Sequence, residues 1–196
     1  MDLRHAVIVP LKDFTTAKSR LRHGTRLDVG TVVRALAANV LAECSPHPTF
    51  VVTESDDVEE FARVLGYGVL RSPIGGLNPA LQWAYATLSP VFSRVTIVQG
   101  DLRDPAGVGE LPITGDVVIV PDHRGQGTAV LSVPTGTSYR FHFGVGSASA
   151  HEREARAQRL TSIVHAPSPW SVDVDEASDL VAPVSTSEGA TPPRSC

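Results

Sequence analysis

The chain has 196 residues, 42% of them apolar, and 17 Lys and Arg against 21 Asp and Glu give a net charge of −4. That length and apolar content build one domain with a sizeable core and exclude a wholly disordered chain. The mild acidity excludes nonspecific nucleic-acid binding, which needs a concentrated basic face. No apolar run reaches the ~18 residues of a membrane span, and the opening MDLRHAVIVP lacks the basic and apolar regions of a secretory signal. The expected setting is therefore the cytoplasm, with neither membrane nor nucleic acid as partner. Two cysteines, Cys44 and Cys196, are too few for a disulfide scaffold or a multi-cysteine zinc site.

In chain order, short β-branched runs alternate with amphipathic stretches. Residues 5–10 (HAVIVP) predict a strand, and 28–44 a helix with Val32, Leu36 and Val40 on one stripe. A strand over 49–53 follows, then a helix over 56–65 whose start carries the capping sequence Ser55-Asp56-Asp57-Val58-Glu59. A strand over 67–70 leads to a helix over 78–88 with Pro79 in its first turn. Strands are predicted over 94–99, 117–120 and 128–133, and a last, highly charged helix over 148–160. Such alternation predicts an α/β fold: a single doubly wound, mainly parallel sheet domain over residues 1–180. Residues 181–196, rich in Pro, Ser, Thr and Gly, predict a disordered tail.

Sheets of this kind bind ligands beyond the carboxyl ends of their strands. After the first strand come Lys12, Lys18 and Arg20, three cations within nine residues that can face a polyanion such as a nucleoside triphosphate. Lys12 and Lys18 are also the only two lysines in the chain, where a compact ammonium suits phosphate. Asp101 follows the fourth strand, and Asp173 and Asp175 lie near the domain's end on one face of an extended segment. One or two such carboxylates suffice for Mg²⁺, whose other positions take water and phosphate oxygens.

Two glycine-containing loops can approach an anion closely. Asp122-His123-Arg124-Gly125-Gln126-Gly127 ends on the Thr128 hydroxyl, and Gly144-Val145-Gly146-Ser147 precedes a helix N-terminus. The seven histidines are scattered without metal-ligand spacing. His151, one helical turn beyond Ser147, is the one histidine placed to matter for that loop, with a surface position on the last helix as the expected reading.

The ordered set PLKDFTTAKSRL, GLNPAL, QGDL, PDHRGQGTAVL, FGVGSASAH and DVDEASDL, spread between residues 6 and 180, resembles the guanylyltransferase family of coenzyme F420 biosynthesis. The resemblance implies a nucleotidyltransferase fold similar to glycosyltransferase A domains. It implies coupling of GTP to a small phosphorylated three-carbon acid, 2-phospho-L-lactate or phosphoenolpyruvate, with 3-phosphoglycerate as an alternative acid. It further implies that Asp101 and Asp173 hold divalent metal (Mg²⁺). Thr128, Gly144 and Ser147 would hold the acid, Lys12, Lys18 and Arg20 would face the triphosphate, and Gly76 and Asn78 would lie near the nucleoside. The chain departs from the family pattern at Arg103-Asp104-Pro105, where the family continues with Pro and apolar residues, and at Glu176-Ala177-Ser178, where it prefers Thr-Pro. Readings that compete with this one are a relative of the same fold using another nucleotide, and a non-catalytic nucleotide-binding protein. A functional contact with the next enzyme of the F420 pathway is a further expectation.

Overall fold

The computed structural model describes residues 4–15, 28–174 and 179. Lys18, Arg20 and Asp175, as well as the expected tail over 181–196, lie outside the described residues.

Seven strands form one sheet in the order β3-β2-β1-β4-β6-β5-β7. The strands are β1 (His5–Pro10), β2 (Thr49–Thr53), β3 (Gly68–Arg71), β4 (Arg94–Val98), β5 (Val117–Pro121), β6 (Thr128–Pro134) and β7 (Ser162–Val164). Pairings β1 with β2, β1 with β4, β2 with β3 and β5 with β7 are parallel. Strand β6 runs antiparallel to both β4 and β5. The physical reason is length: only residues 122–127 separate β5 from β6, and a parallel crossover needs a dozen or more residues. This reversal matters for the site, because it delivers the first residue of β6 to the edge where β1 and β4 end.

The helices are α1 (Val29–Glu43), α2 (Asp56–Val64), α3 (Leu77–Leu88) and α4 (Ser147–Ala157). Side-chain alternation along buried strands supplies both faces of the sheet. Val7 and Val9 pack with Val33, Leu36, Ala37, Val40 and Leu41 of α1 and with Val58 and Ala62 of α2. Ala6 and Ile8 turn to the opposite layer, with Leu81, Ala84, Tyr85 and Leu88 of α3 and Ala148 and Ala155 of α4.

Predicted and observed bounds agree to within a few residues, and three differences have local causes. Ser55 does not cap α2 with its side chain. Its hydroxyl donates instead to Asp13 Oδ2 at 3.0 Å, a carboxylate acceptor from the loop after β1. Strand β7 carries no sequence period of its own at three residues, and it exists because β5 offers it an open edge. Helix α4 ends at Ala157 with Gln158 as its cap, short of the predicted 160, because Arg159 takes a positive φ of 58°. Among the described residues no helix is long and apolar enough to cross a membrane.

Two histidines are held neutral inside this fold. The His5 Nε2 lies 2.7 Å from the Thr96 hydroxyl and its ring stacks on His47, and burial, then His47 and Arg94, push its pKa down to about 4. Burial, then His142, push His151 down to about 3. Unfolded, both rings titrate near the ordinary 6.5. Their contribution to stability is therefore complete above pH 6.5 and declines as pH falls toward those lower values. The melting temperature is expected to drop between pH 7.5 and pH 4.5, read by circular dichroism. A value constant over that interval contradicts the neutral, buried assignment.

Candidate functional site

The site gathers at the carboxyl edge of β1, β2 and β4. There a cleft of about 730 Å³, within the range of small-molecule sites, is lined by Lys12, Asp13, Glu54, Gly76, Gln99 and Asp101 among others. Lys12 is exposed and follows β1 directly. Its loop is braced by Asp13, whose carboxylate accepts from the Thr15 backbone N–H at 2.8 Å, from the Thr15 hydroxyl, and from Ser55. Gly76, at φ +92°, caps the N-terminus of α3 on the cleft's far wall.

Asp101 reaches this cleft through Gly100. A Cβ at Gly100 would stand 2.2 Å from Leu11 Cδ2, so any larger residue would push the Leu11 side chain aside where the two loops meet. The segment carrying Asp173 is then paired to the Asp101 loop through the main chain. Leu102 and Asp173 form an antiparallel bridge, the Val174 N–H donates to the Asp101 carbonyl at 3.0 Å, and the Arg103 N–H donates to the Val172 carbonyl at 2.8 Å. The indole N–H of Trp170 adds a third hydrogen bond, 2.8 Å from the Ala106 carbonyl. The unusual Arg103 therefore does not prevent pairing, which uses only its backbone. His123 Nδ1 lies 3.3 Å from Asp173 Oδ1.

The donor set suits a hard cation. Asp101 lines the cleft and Asp173 lies on the segment paired to its loop, and among the described residues no group of three or more His, Cys, Asp or Glu is placed to hold a metal. A metal bound here would draw its remaining ligands from water and substrate phosphate, which is how Mg²⁺ is ordinarily held and how Zn²⁺ is not.

A second cluster lies along the same edge. Thr128 opens β6 and Ser147 opens α4; both are buried, and their hydroxyls lie 2.8 Å apart. The turn before Ser147 needs Gly144 at φ +133° and Gly146 at +77°, conformations that a side chain resists. The loop over 122–127 docks onto it: the Gln126 N–H donates to Asp122 Oδ1 at 2.8 Å, and the Ala148 N–H to the Gln126 carbonyl at 3.5 Å.

His151 corrects the sequence reading. It is fully buried, with Nδ1 3.2 Å from the Thr128 hydroxyl and Nε2 accepting the His142 backbone N–H at 3.0 Å. The signal was its position: four residues after Ser147 places it on the same face of α4, and that face is the inner one. The His123 contact with Asp173 had no comparable signal, because 50 residues of chain separate the two.

The Asn78 side chain is engaged within the fold. Its amide donates to the Phe143 carbonyl at 2.9 Å and accepts the Phe143 N–H at 2.7 Å, clamping α3 to the turn that carries Gly144. Asn78→Ala leaves both backbone groups of a buried residue unpaired, and is expected to cost about 2 kcal/mol. Urea unfolding reads this directly. A midpoint equal to that of the unaltered chain contradicts the clamp.

Of the sequence-derived candidates, Lys12, Gly76 and Asp101 line the cleft, and Asp173 is paired to the Asp101 loop. Thr128, Ser147, Gly144 and Asn78 form the adjoining cluster. Lys18 and Arg20 lie outside the described residues.

Relatives carry the same arrangement of sequence over most of their length. The chain is 29% identical over 187 residues to a 2-phospho-L-lactate guanylyltransferase of Methanothermobacter thermautotrophicus, covering 91% of this chain and 83% of that one. It is 32% identical over 192 residues to a phosphoenolpyruvate guanylyltransferase of Mycolicibacterium smegmatis, covering 89% and 82%. Among solved structures, a nucleotidyl transferase from Methanothermobacter superposes with a TM-score of 0.62 at 16% identity over 90% of this chain and 94% of that one, a likeness of fold. The family described as guanylyl transferase CofC like matches residues 5–190. With its match running through both the cleft and the Thr128–Ser147 cluster, the chain belongs to the CofC-like guanylyltransferase family.

Proposed function

We propose that this protein transfers GMP from GTP to the phosphate of a small phosphorylated three-carbon acid, with phosphoenolpyruvate as the acceptor, in the cytoplasm. The observation that supports this reading best is the Leu102–Asp173 bridge, which pairs the segment carrying Asp173 with the Asp101 loop, at a cleft lined by Lys12 and Asp101. Family membership supplies the reaction class. The 32% identity to a phosphoenolpyruvate guanylyltransferase favours that acid.

In the reaction, an oxygen of the acid's phosphate attacks the α-phosphorus of GTP. A new P–O bond forms, the bond from the α-phosphorus to the bridging oxygen breaks, and pyrophosphate leaves with that electron pair. The nucleophile is already an anion near neutral pH, so the chain needs neither a general base nor a covalent intermediate. Its work is to align two anions that repel one another. Lys12, with Lys18 and Arg20, faces the triphosphate and offsets its charge. Thr128, Ser147 and the backbone around Gly144 hold the acid by hydrogen bonds. Asp101 and Asp173 would hold Mg²⁺, which when bound neutralises charge on the triphosphate and the departing pyrophosphate.

Mass spectrometry of the product tests this proposal. Incubation with GTP, Mg²⁺ and phosphoenolpyruvate is expected to give a guanosine diphosphate-linked acid. Recovery of free GMP or GDP without the linked acid overturns it.

A further inference from the structure

His151 sits behind the two hydroxyls assigned to the acid, and its own hydrogen bonds fix which of its nitrogens carries the proton. Nε2 faces the His142 backbone N–H at 3.0 Å. That N–H can only donate, so Nε2 must accept and the ring's single hydrogen resides on Nδ1. Nδ1–H then donates to Thr128 Oγ at 3.2 Å. The ring is enclosed on every side: Phe143 meets it edge-on at 4.9 Å between centroids, Tyr139 and His142 lie near 6 Å, and the Tyr139 hydroxyl donates to its carbonyl at 3.0 Å. Beyond His142, Glu154 Oε2 lies 3.3 Å from the His142 Nε2. Burial and the His142 ring disfavour a second proton on His151.

Counting hydrogens shows the consequence. Thr128 and Ser147 carry two hydroxyl hydrogens, and the 2.8 Å contact between them uses one. If Nδ1 were an acceptor, Thr128 would spend its hydrogen on the ring and Ser147 would spend its own on Thr128. None would remain for a ligand. With Nδ1 as donor, the ring uses neither hydrogen, and one remains to point away from the pair.

We infer that His151 is a positioning residue that, as its Nδ1–H tautomer, makes the Thr128–Ser147 pair a net donor toward the phosphorylated acid. The inference rests on the reading that these hydroxyls hold the acid, and it adds a distinct requirement: an anion is accepted only while the tautomer set by the His142 backbone persists. The nucleotide cleft does not depend on it.

Two variants separate the two nitrogens. His151→Asn keeps an N–H donor at the Nδ1 position and loses the acceptor at Nε2, whereas His151→Gln keeps an acceptor near Nε2 and loses the donor to Thr128. In steady-state kinetics on the full chain, His151→Gln is expected to raise the KM for phosphoenolpyruvate roughly tenfold or more. The KM for GTP should stay within about twofold, and His151→Asn should restore most of the loss. Equal effects of both variants on both substrates overturn the assignment. Because either variant can also weaken folding, the tautomer of the unaltered chain is read separately by ¹⁵N-edited NMR of the imidazole. A hydrogen on Nδ1 supports the inference, and one on Nε2 overturns it. Failure of the acid-site reading itself looks different: Thr128→Val and Ser147→Ala would leave the acid's KM unchanged while the NMR still showed Nδ1–H.

Discussion

Asp101→Asn and Asp173→Asn are each expected to lower turnover by about a thousandfold or more while leaving the melting temperature within a few degrees of the unaltered chain. Each change removes one negative charge at nearly constant volume. The loss follows from the charge stabilisation a metal supplies, which is worth several kcal/mol of the barrier. The fold survives for a structural reason: the contacts that bring these residues together are main-chain ones, the Leu102–Asp173 bridge and the Val174 N–H on the Asp101 carbonyl. Asparagine keeps that backbone, and at position 173 it keeps an oxygen for His123. Pyrophosphate release in Mg²⁺ checks the expectation. A rate equal to that of the unaltered chain in either variant removes that residue from the metal site.

The second large effect concerns the division of labour between the two parts of the edge. Lys12→Ala and Lys18→Ala are expected to raise the KM for GTP, with little change for the acid. Thr128→Val and Ser147→Ala are expected to lower kcat/KM for the acid by roughly ten- to a hundredfold, since a hydrogen bond to a charged group is worth about 1.5 to 3 kcal/mol. The apparent KM for GTP should move little in these two variants. A two-substrate kinetic matrix reads all four. If Ser147→Ala weakened GTP and spared the acid, the turn carrying Gly144 and Gly146 would belong to the nucleotide.

Much of this site was legible because its parts follow strands. A chain that alternates buried strands with helices leaves the loops that can bind a ligand at the carboxyl edge, and the candidates Lys12, Asp101 and Thr128 come from reading what lies next to each strand. Thr128 nonetheless reaches that edge for a reason that composition hides, the reversal of β6 imposed by the short 122–127 connection. The short strand β7 and the clamp from Asn78 to Phe143 depend on partners 45 to 65 residues away in sequence, and no local periodicity reports them. His151 shows the opposite limit. Its spacing from Ser147 was visible, but α4 is so rich in charge that its buried stripe of Ala148, His151 and Ala155 reads as surface until packing reveals it.

The central claim is a GTP-dependent transfer that needs a phosphorylated acid. It is tested most directly by measuring pyrophosphate released from each of GTP, ATP, CTP and UTP, with and without phosphoenolpyruvate, 2-phospho-L-lactate or 3-phosphoglycerate. Discrimination among the acids is expected to be modest, because they differ by a double bond, a methyl or a hydroxyl position, which a pocket resolves by about 1 to 3 kcal/mol. The account predicts release with GTP that appears only when an acid is present and is largest with phosphoenolpyruvate. Release that is indifferent to the acid, that prefers another nucleotide, or that is absent from every combination would contradict it.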